Sequence, residues 1–342
     1  MRNLKLAHSR LRLFICLAAG AYLLLVLAIW FLLYVGGDRW WPATLVLFGP
    51  RWLISLPLLV LVPLAARRER RQLIVLFVAA VIVFGPVMNL CVPFMHKASK
   101  GPAIRVLTCN IGGSELDTEK LRRLIRESGA DIVALQECSE ETAAKVLSGW
   151  AVIQKQSLVV ASHYPITLGK SRQAMHPPHL WPRFSLLQCL IKTPERELSF
   201  CSIHLPSPRY GLSHLLDRHV ILNLSRMRVL NEEQELRRKT SEEIESIIRM
   251  ESLPVIVAGD FNMPAESLWY RRVWADYSNA FSTAGFGYGL TETIAIRGFE
   301  YKVRIDHILT RGELAAGKCW VGPDVGSDHL PLVAEICRTE SY

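Results

Sequence analysis

A chain of 342 residues, 50% hydrophobic and 21% charged, is too apolar for a disordered segment and long enough to fill a large core. Its formal net charge of +9 suggests an anionic partner until the charge is mapped: residues 1–97 hold 11 Lys and Arg against 2 Asp and Glu, whereas residues 98–342 hold 29 of each. The larger part is electrically balanced, which argues against a domain built to grip a nucleic-acid backbone through bulk basic charge. Eight cysteines without a CxxC pair also exclude the common zinc motifs and a dense disulfide frame.

In chain order, residues 13–35 (LFICLAAGAYLLLVLAIWFLLYV) carry no charge. At about 1.5 Å per helical residue such a run crosses a hydrocarbon layer of about 30 Å. A cleaved signal peptide fits less well, because the apolar core is too long and no small-residue cleavage site follows Val35. Residues 46–66 form a second candidate span that contains Arg51, and 73–95 a third, interrupted by Gly85-Pro86. The excess positive charge lies beside these runs, in MRNLKLAHSRLR and in RRERR (67–71). With three transmembrane helices the positive-inside rule puts both clusters in the cytoplasm, and everything after residue 96 outside it. The sequence therefore divides into a membrane region (1–96), a polar linker (97–102) and a soluble domain (103–342).

The soluble domain opens on AIRVLTCNI (103–111), which reads as a core strand. Leu116, Leu121, Leu124 and Ile125 then make a helical stripe that Gly129 ends. DIVALQE (131–137) is a buried strand and ETAAKVLSG (141–149) a short helix. Strands follow in 150–162, and FSLLQCLI (184–191) with ELSFCSIHL (197–205) suggests a hairpin. Cys189 and Cys201 flank its turn; a disulfide across the hairpin is conceivable, and two buried thiols are the favoured reading. From 210 to 249 the chain is helical and charged. VIVAGDFN (255–262), RIDHILT (304–310) and LPLVAEIC (330–337) are the remaining strands. Many strands between few helices indicate an α+β domain of two packed sheets with helices outside.

Polar side chains gather at the ends of these apolar runs: Asn110, Glu137, His204, Asp260 with Asn262, Asp306 with His307, and Asp328 with His329. If the strand ends meet on one rim, several carboxylates share a small space and repel unless a cation joins them. The oxygen-rich set suits a hard ion such as Mg²⁺ or Mn²⁺ better than zinc. An Asp–His pair in the same place supplies acid–base chemistry near neutral pH.

The series N(110), QE(136–137), H(204), GDFN(259–262), RIDH(304–307) and SDH(327–329), with SHYPI (162–166), resembles the endonuclease/exonuclease/phosphatase superfamily of DNase I-like fold. The resemblance covers roughly residues 103–337. It implies a four-layered α/β/β/α sandwich and metal-dependent cleavage of phosphoester bonds. It also implies roles: Glu137 as main metal ligand beside Asn110, with Asp328 completing the metal side; His204 as donor to phosphoryl oxygens or the leaving group. Asp260 and Asn262 would position the attacking water and the phosphate, and Asp306 would orient His329, the general base or transition-state stabiliser. His307 is left as a neighbour.

Fold and motifs do not choose a substrate. Electroneutrality and attachment to a membrane favour a lipid-linked or other extracytoplasmic phosphate, with Arg209 and Tyr210 of HLPSPRYGL (204–212) near it. The layout is similar to bacterial membrane proteins of this superfamily linked to glycopeptide resistance. The alternative is an extracytoplasmic nuclease that uses Arg237, Arg238 and Lys239 as a local basic patch.

Overall fold

The computed structural model describes residues 2–93, 102–113, 115–173, 184–209, 211–212, 224–296 and 299–339. They fall into two compact units: Met1–Leu90 with Glu266–Leu268, and Cys91–Ala265 with Trp269–Tyr342.

In the first unit a helix spans Arg2–Val35, and its Ser9–Val35 stretch is long and apolar enough to cross a membrane. The expected span 46–66 is not one rod. Gly49 and Pro50 interrupt it, so that Trp41–Phe48 and Arg51–Arg68 meet at 88°, because proline has no amide hydrogen to continue the ladder. The third run is a 16-residue apolar helix at most, Gln72–Ile82 extended by a π-turn at Val83–Val87 that contains Pro86. Helix contacts are made by Ile15, Ala19, Tyr22 and Val26 against Leu58, Ala65, Leu76, Ala79 and Val83, with alanines allowing close approach. Leu17, Leu24, Phe31, Leu59, Ile74 and Phe77 face outward at 64–73% exposure. An apolar exterior of this kind is compatible with membrane anchoring.

The second unit is built on two six-stranded sheets. In chain order its strands are β1 (Ile104–Asn110), β2 (Ile132–Gln136), β3 (Ala151–Lys155), β4 (Leu158–Ser162), β5 (Ile166–Gln173), β6 (Phe184–Lys192), β7 (Glu197–His204) and β8 (Val255–Asp260). They continue as β9 (Ser278–Asn279), β10 (Glu292–Ile296), β11 (Phe299–Val303), β12 (Asp306–Arg311), β13 (Leu314–Val321) and β14 (Leu332–Arg338). The sheets run β13-β14-β1-β2-β4-β3 and β5-β6-β7-β8-β12-β9, with β10-β11 as a separate hairpin. Each sheet holds one parallel pair at its centre, β1 with β2 and β7 with β8.

Strand alternation explains the layers. Val106, Ile132, Ala134 and Val160 point inward and meet Leu187, Leu198, Phe200, Ile256 and Ala258 between the sheets. Their neighbours Leu107, Cys109, Val133 and Leu135 point outward under the helices Thr118–Ser128 and Glu140–Val146. On the other outer face Cys201, Ile203, Val255 and Val257 pack under Ile244, Ile248 and Trp274. The helix Thr118–Ser128 is capped by Asp117, which accepts from the amides of Glu119 and Lys120, and stops at left-handed Gly129. The result is the expected four-layered α/β/β/α sandwich. All eight cysteines are free thiols. Cys189 is paired in register with Phe200 and lies between the sheets, whereas Cys201 lies on the outer face. The pleat therefore separates the two, and burial pushes each thiol up to about 12.

Candidate active site

The inward-facing rows change character at one end. Along β1 the residues run Val106, Thr108, Asn110; along β8, Ile256, Ala258, Asp260; along β7, Phe200, Ser202, His204. Registers align these ends: Asn110 opposite Gln136, His204 opposite Asp260, and Asp260 opposite Asp306. Three adjacent strands of the second sheet thus deliver His204, Asp260 and Asp306 side by side, at strand spacings of about 4.8 Å. Beneath them the two sheets are joined by polar contacts, with Gln136 Nε2 donating to Thr108 Oγ1 and Ser202 Oγ, both at 3.2 Å.

Asp260 is the hub. Its Oδ2 accepts from Asn110 Nδ2 and Asn262 Nδ2, both at 3.1 Å, and its Oδ1 accepts from the Asn262 amide at 2.8 Å. Asn262 Nδ2 also donates to Leu205 O at 2.8 Å. His204 Nε2 stands 3.5 Å from Asp260 Oδ2 and 3.8 Å from Glu137 Oε1. Glu137 and Asn262, the residues just past β2 and β8, have φ of 55° and 49°. Left-handed backbone at a glutamate is uncommon and is held here by its surroundings. Gly259 is required for a different reason: at φ +144° a Cβ would sit 2.0 Å from Ile203 O.

His329 arrives from the segment before β14. Ser327 Oγ donates to the carbonyls of Asn110 and Gly112, each at 2.8 Å, and accepts from the His329 amide, which ties this loop to the end of β1. His329 Nδ1 then donates to Asp306 Oδ2 at 2.8 Å, both groups being buried. Burial alone would lower the imidazole's pKa. The negative charges of Asp306 and Asp260, the Asp306 hydrogen bond and the charge of Glu292 outweigh it, pushing it up to about 10. Asp260 is raised, chiefly by burial, against the opposing pull of His329.

At the exposed rim Arg209 Nη2 donates to Glu292 Oε1 at 2.9 Å and Asp328 Oδ2 at 2.8 Å. Burial raises Glu292 to about 7. Glu137 Oε2 and Asn110 Oδ1 converge on Gly112, where a Cβ would lie 2.5 and 3.2 Å from them. Only the missing side chain leaves that space open. Asp260, Asp306 and His329 bring ligand atoms within 4.8 Å of one another. His329 occupies Asp306 Oδ2, while the buried Asp306 Oδ1 has no hydrogen-bond partner; the oxygen-lined space beside Glu137 and Asn110 is a second place that could hold a cation. Carboxylate and amide oxygens suit a hard divalent ion.

Of the residues singled out in sequence, Asn110, Glu137, His204, Asp260, Asn262, Asp306, Asp328, His329 and Arg209 meet here. Tyr210 lies outside the described residues. His307 is turned away: its Nε2 donates to Met263 O at 2.8 Å, its Nδ1 faces Asn279 Nδ2 at 3.1 Å, and its ring packs on Tyr270. Glu292 was not among the sequence candidates: it begins β10, as Asp306 begins β12, but no apolar run with a paired histidine marks it in the sequence. The proposed basic patch is not one: Arg237 is fully buried, and Arg238 and Lys239 pair with Glu235, Arg238 also with Glu242. Neighbouring carboxylates thus offset the charge of this local run.

Residues 107–329 match the family model described as Endonuclease/Exonuclease/phosphatase family. The chain is similar in fold to an endonuclease/exonuclease/phosphatase family protein from Bacteroides thetaiotaomicron (13% identity, 72% of this chain and 100% of that one, TM-score 0.50). It is likewise similar to truncated Caenorhabditis elegans TDP2 (18% identity, 68% and 97% covered, TM-score 0.51) and to humanized D. rerio TDP2 (16% identity, 69% and 99% covered, TM-score 0.50). No curated protein matches the chain.

Proposed function

Because the chain belongs to the endonuclease/exonuclease/phosphatase family and so is a hydrolase of phosphoester bonds, we propose that it is membrane-anchored and cleaves a lipid-linked phosphate, with Mg²⁺ or Mn²⁺ as cofactor. The observation that carries the reaction is the row His204, Asp260, Asp306 set by strand register, with His329 hydrogen-bonded to its end.

Glu137 and Asn110, together with Asp328, would hold the cation, and a bound divalent ion would supply neutralisation of charge developing on the phosphoryl oxygens. The protein's own groups do the rest. Asp260, fixed by three hydrogen bonds, accepts one from the attacking water, while Asn262 keeps the carboxylate from rotating. His204 donates toward the non-bridging oxygens. His329, whose pKa is raised by the charges of Asp306 and Asp260, stabilises the negative charge of the transition state or acts as general base. Arg209 adds a guanidinium at the mouth, and Tyr210 follows it in the chain.

Two observations support a lipid substrate: the charge balance of residues 98–342 and the apolar exterior of the first unit. The Ser9–Val35 helix anchors the enzyme in the cytoplasmic membrane, with the remaining apolar helices making it multi-pass and the catalytic domain extracytoplasmic. A reporter fused at Tyr342 tests that topology; activity of a cytoplasmic reporter would overturn it. The reaction is tested by assaying purified full-length protein, with and without a chelator, against lipid diphosphates, phospholipids and plasmid DNA. Chelator-sensitive release of phosphate or headgroup is expected, and preference for DNA would overturn the lipid assignment.

A further inference from the structure

A second feature of the catalytic unit has no part in the chemistry just described. An open groove of about 760 Å³ is lined by Phe281, Phe286, Tyr288, Leu290, Trp320 and Val321 among others. Its floor includes buried Cys319 and the ring of Phe281. Gly285 and Gly289 leave room for that ring: a Cβ at either would come within 2.7 Å of it. At the lip Phe286 is 77% exposed, and the Lys318 ammonium sits 5.0 Å from the Trp320 ring. Apolar walls with one cationic edge form a binding surface of ligand-pocket size.

Two walls of the groove lie close in the chain or in register to the catalytic rim. Leu290 is two residues from Glu292, at most about 7 Å along the chain, and Glu292 holds Arg209. Between them Thr291 Oγ1 accepts from the Asp306 amide, so this stretch is fixed against the catalytic strand. From the other wall Val321 pairs with Leu332, three residues from His329 and so at most about 11 Å away. The Leu330 amide donates to Thr291 O at 2.7 Å and links these two stretches.

We propose that this groove is the tail subsite of the enzyme: it seats the hydrocarbon chain, acyl or isoprenoid, of the molecule whose phosphate lies under Arg209 and His329. The proposal rests on the lipid-linked reading above and gives it a place in the fold. A hydrocarbon chain fits because the wall residues offer nonpolar area and few polar groups, and because Leu290 in the wall lies two residues from Glu292, the partner of Arg209. Lys318 lies at the edge, where a polar or anionic portion of the ligand, or of a lipid surface, would meet it.

The test uses full-length protein in nanodiscs with Mg²⁺ and a series of alkyl phosphates from methyl to octyl. If each methylene is buried, kcat/KM rises with chain length by up to about fourfold per carbon. Phe286→Ser removes an exposed ring that supports no core, so it should flatten that rise, costing octyl phosphate at least about tenfold and leaving methyl phosphate unchanged. Partition of longer esters into lipid would raise both proteins alike and would overturn the assignment. A second readout needs no turnover: octyl phosphate bearing a terminal diazirine is photolysed on the protein, and labelled peptides are read by mass spectrometry. Label within 281–290 or 317–321, lost in Phe286→Ser, supports the subsite; label confined to the N-terminal apolar helices overturns it. Groove labelling without hydrolysis of any ester would sink the proposed reaction and leave the tail site standing. Hydrolysis indifferent to the tail, without groove labelling, would do the reverse.

Discussion

Replacing Asp306 by Asn isolates what a single buried charge does in this site. The substitution keeps shape and leaves the backbone pairing of β12 with β8 intact, while removing the carboxylate that accepts from His329 Nδ1 at 2.8 Å. Two opposite charges at that distance attract by about 6 kcal/mol at an effective dielectric of about 20. Desolvation of two buried groups consumes much of this, and a hydrogen bond to a charged partner is worth about 1.5–3 kcal/mol net. Losing that stabilisation in the transition state lowers kcat/KM by between about 10-fold and 150-fold. The Asn amide can also hold the imidazole in the wrong tautomer, which deepens the loss. The pH profile gives the sign independently. Asp306 raises the His329 pKa, which stands near 10, so its removal moves the alkaline limb of the rate profile to lower pH. The assay is initial-rate hydrolysis from pH 6 to 10 at saturating metal, alongside thermal unfolding to show that the variant is folded. An unchanged kcat/KM, or an alkaline limb that stays where it was, would refute the dyad.

Gly112→Ala places a methyl 2.5 Å from Glu137 Oε2, so the metal concentration for half-maximal activity should rise at least about tenfold with stability little altered; titration with Mg²⁺ measures it. Saturating Mg²⁺ should raise the unfolding temperature of the parent and leave that of Glu137→Ala unmoved, since a ligand stabilises only the form that binds it. Gly259→Ala should fail to accumulate as folded protein, because its Cβ would overlap Ile203 O; normal expression and a parental melting curve would contradict the assigned backbone. Burial raises Glu233 to about 7 against the pull of the Gly211 amide and Arg237. Between its unfolded value of 4.5 and about 7 the native state binds the extra proton, so stability falls as pH rises through that window. Glu233→Gln should therefore stabilise by about 1–2 kcal/mol at pH 8, after discounting partial exposure, and by nothing at pH 4.5; equal melting shifts at the two pH values would refute it.

The site was legible in the sequence to the extent that its residues obey one rule, a polar group at the end of an apolar strand. Asn110, His204 and Asp260 obey it because two-residue periodicity and register alone put them inward and abreast. His329 follows no periodicity, and its place depends on Ser327 bridging two carbonyls of the loop after β1. Glu292 was invisible for the same reason in stronger form. Nothing near it in sequence announces a partner 83 residues earlier in Arg209 or a backbone neighbour in His329. Arg237 shows the opposite failure: a run of charge at helical spacing reads as a solvated face, yet one arginine of the run points into the core.

The first unit shows where hydropathy stops. It identifies apolar length well and geometry poorly, because average hydropathy does not register Gly49-Pro50 or Pro86. Those residues turn the expected second and third rods into an 88° bend and a helix of some 24 Å, short of the hydrocarbon thickness at about 1.5 Å per residue. What survives the geometry is the outward apolar surface, since Leu17, Phe31, Leu59 and Phe77 lie exposed on three helices at once. A soluble helical unit would have buried one stripe and wetted the rest. The apolar exterior of this unit is therefore set by composition, and the length of its straight helices by a handful of helix-breaking residues. A single Pro50→Ala change that straightened the bend would join Trp41–Phe48 and Arg51–Arg68 into one apolar rod without changing mean hydropathy noticeably.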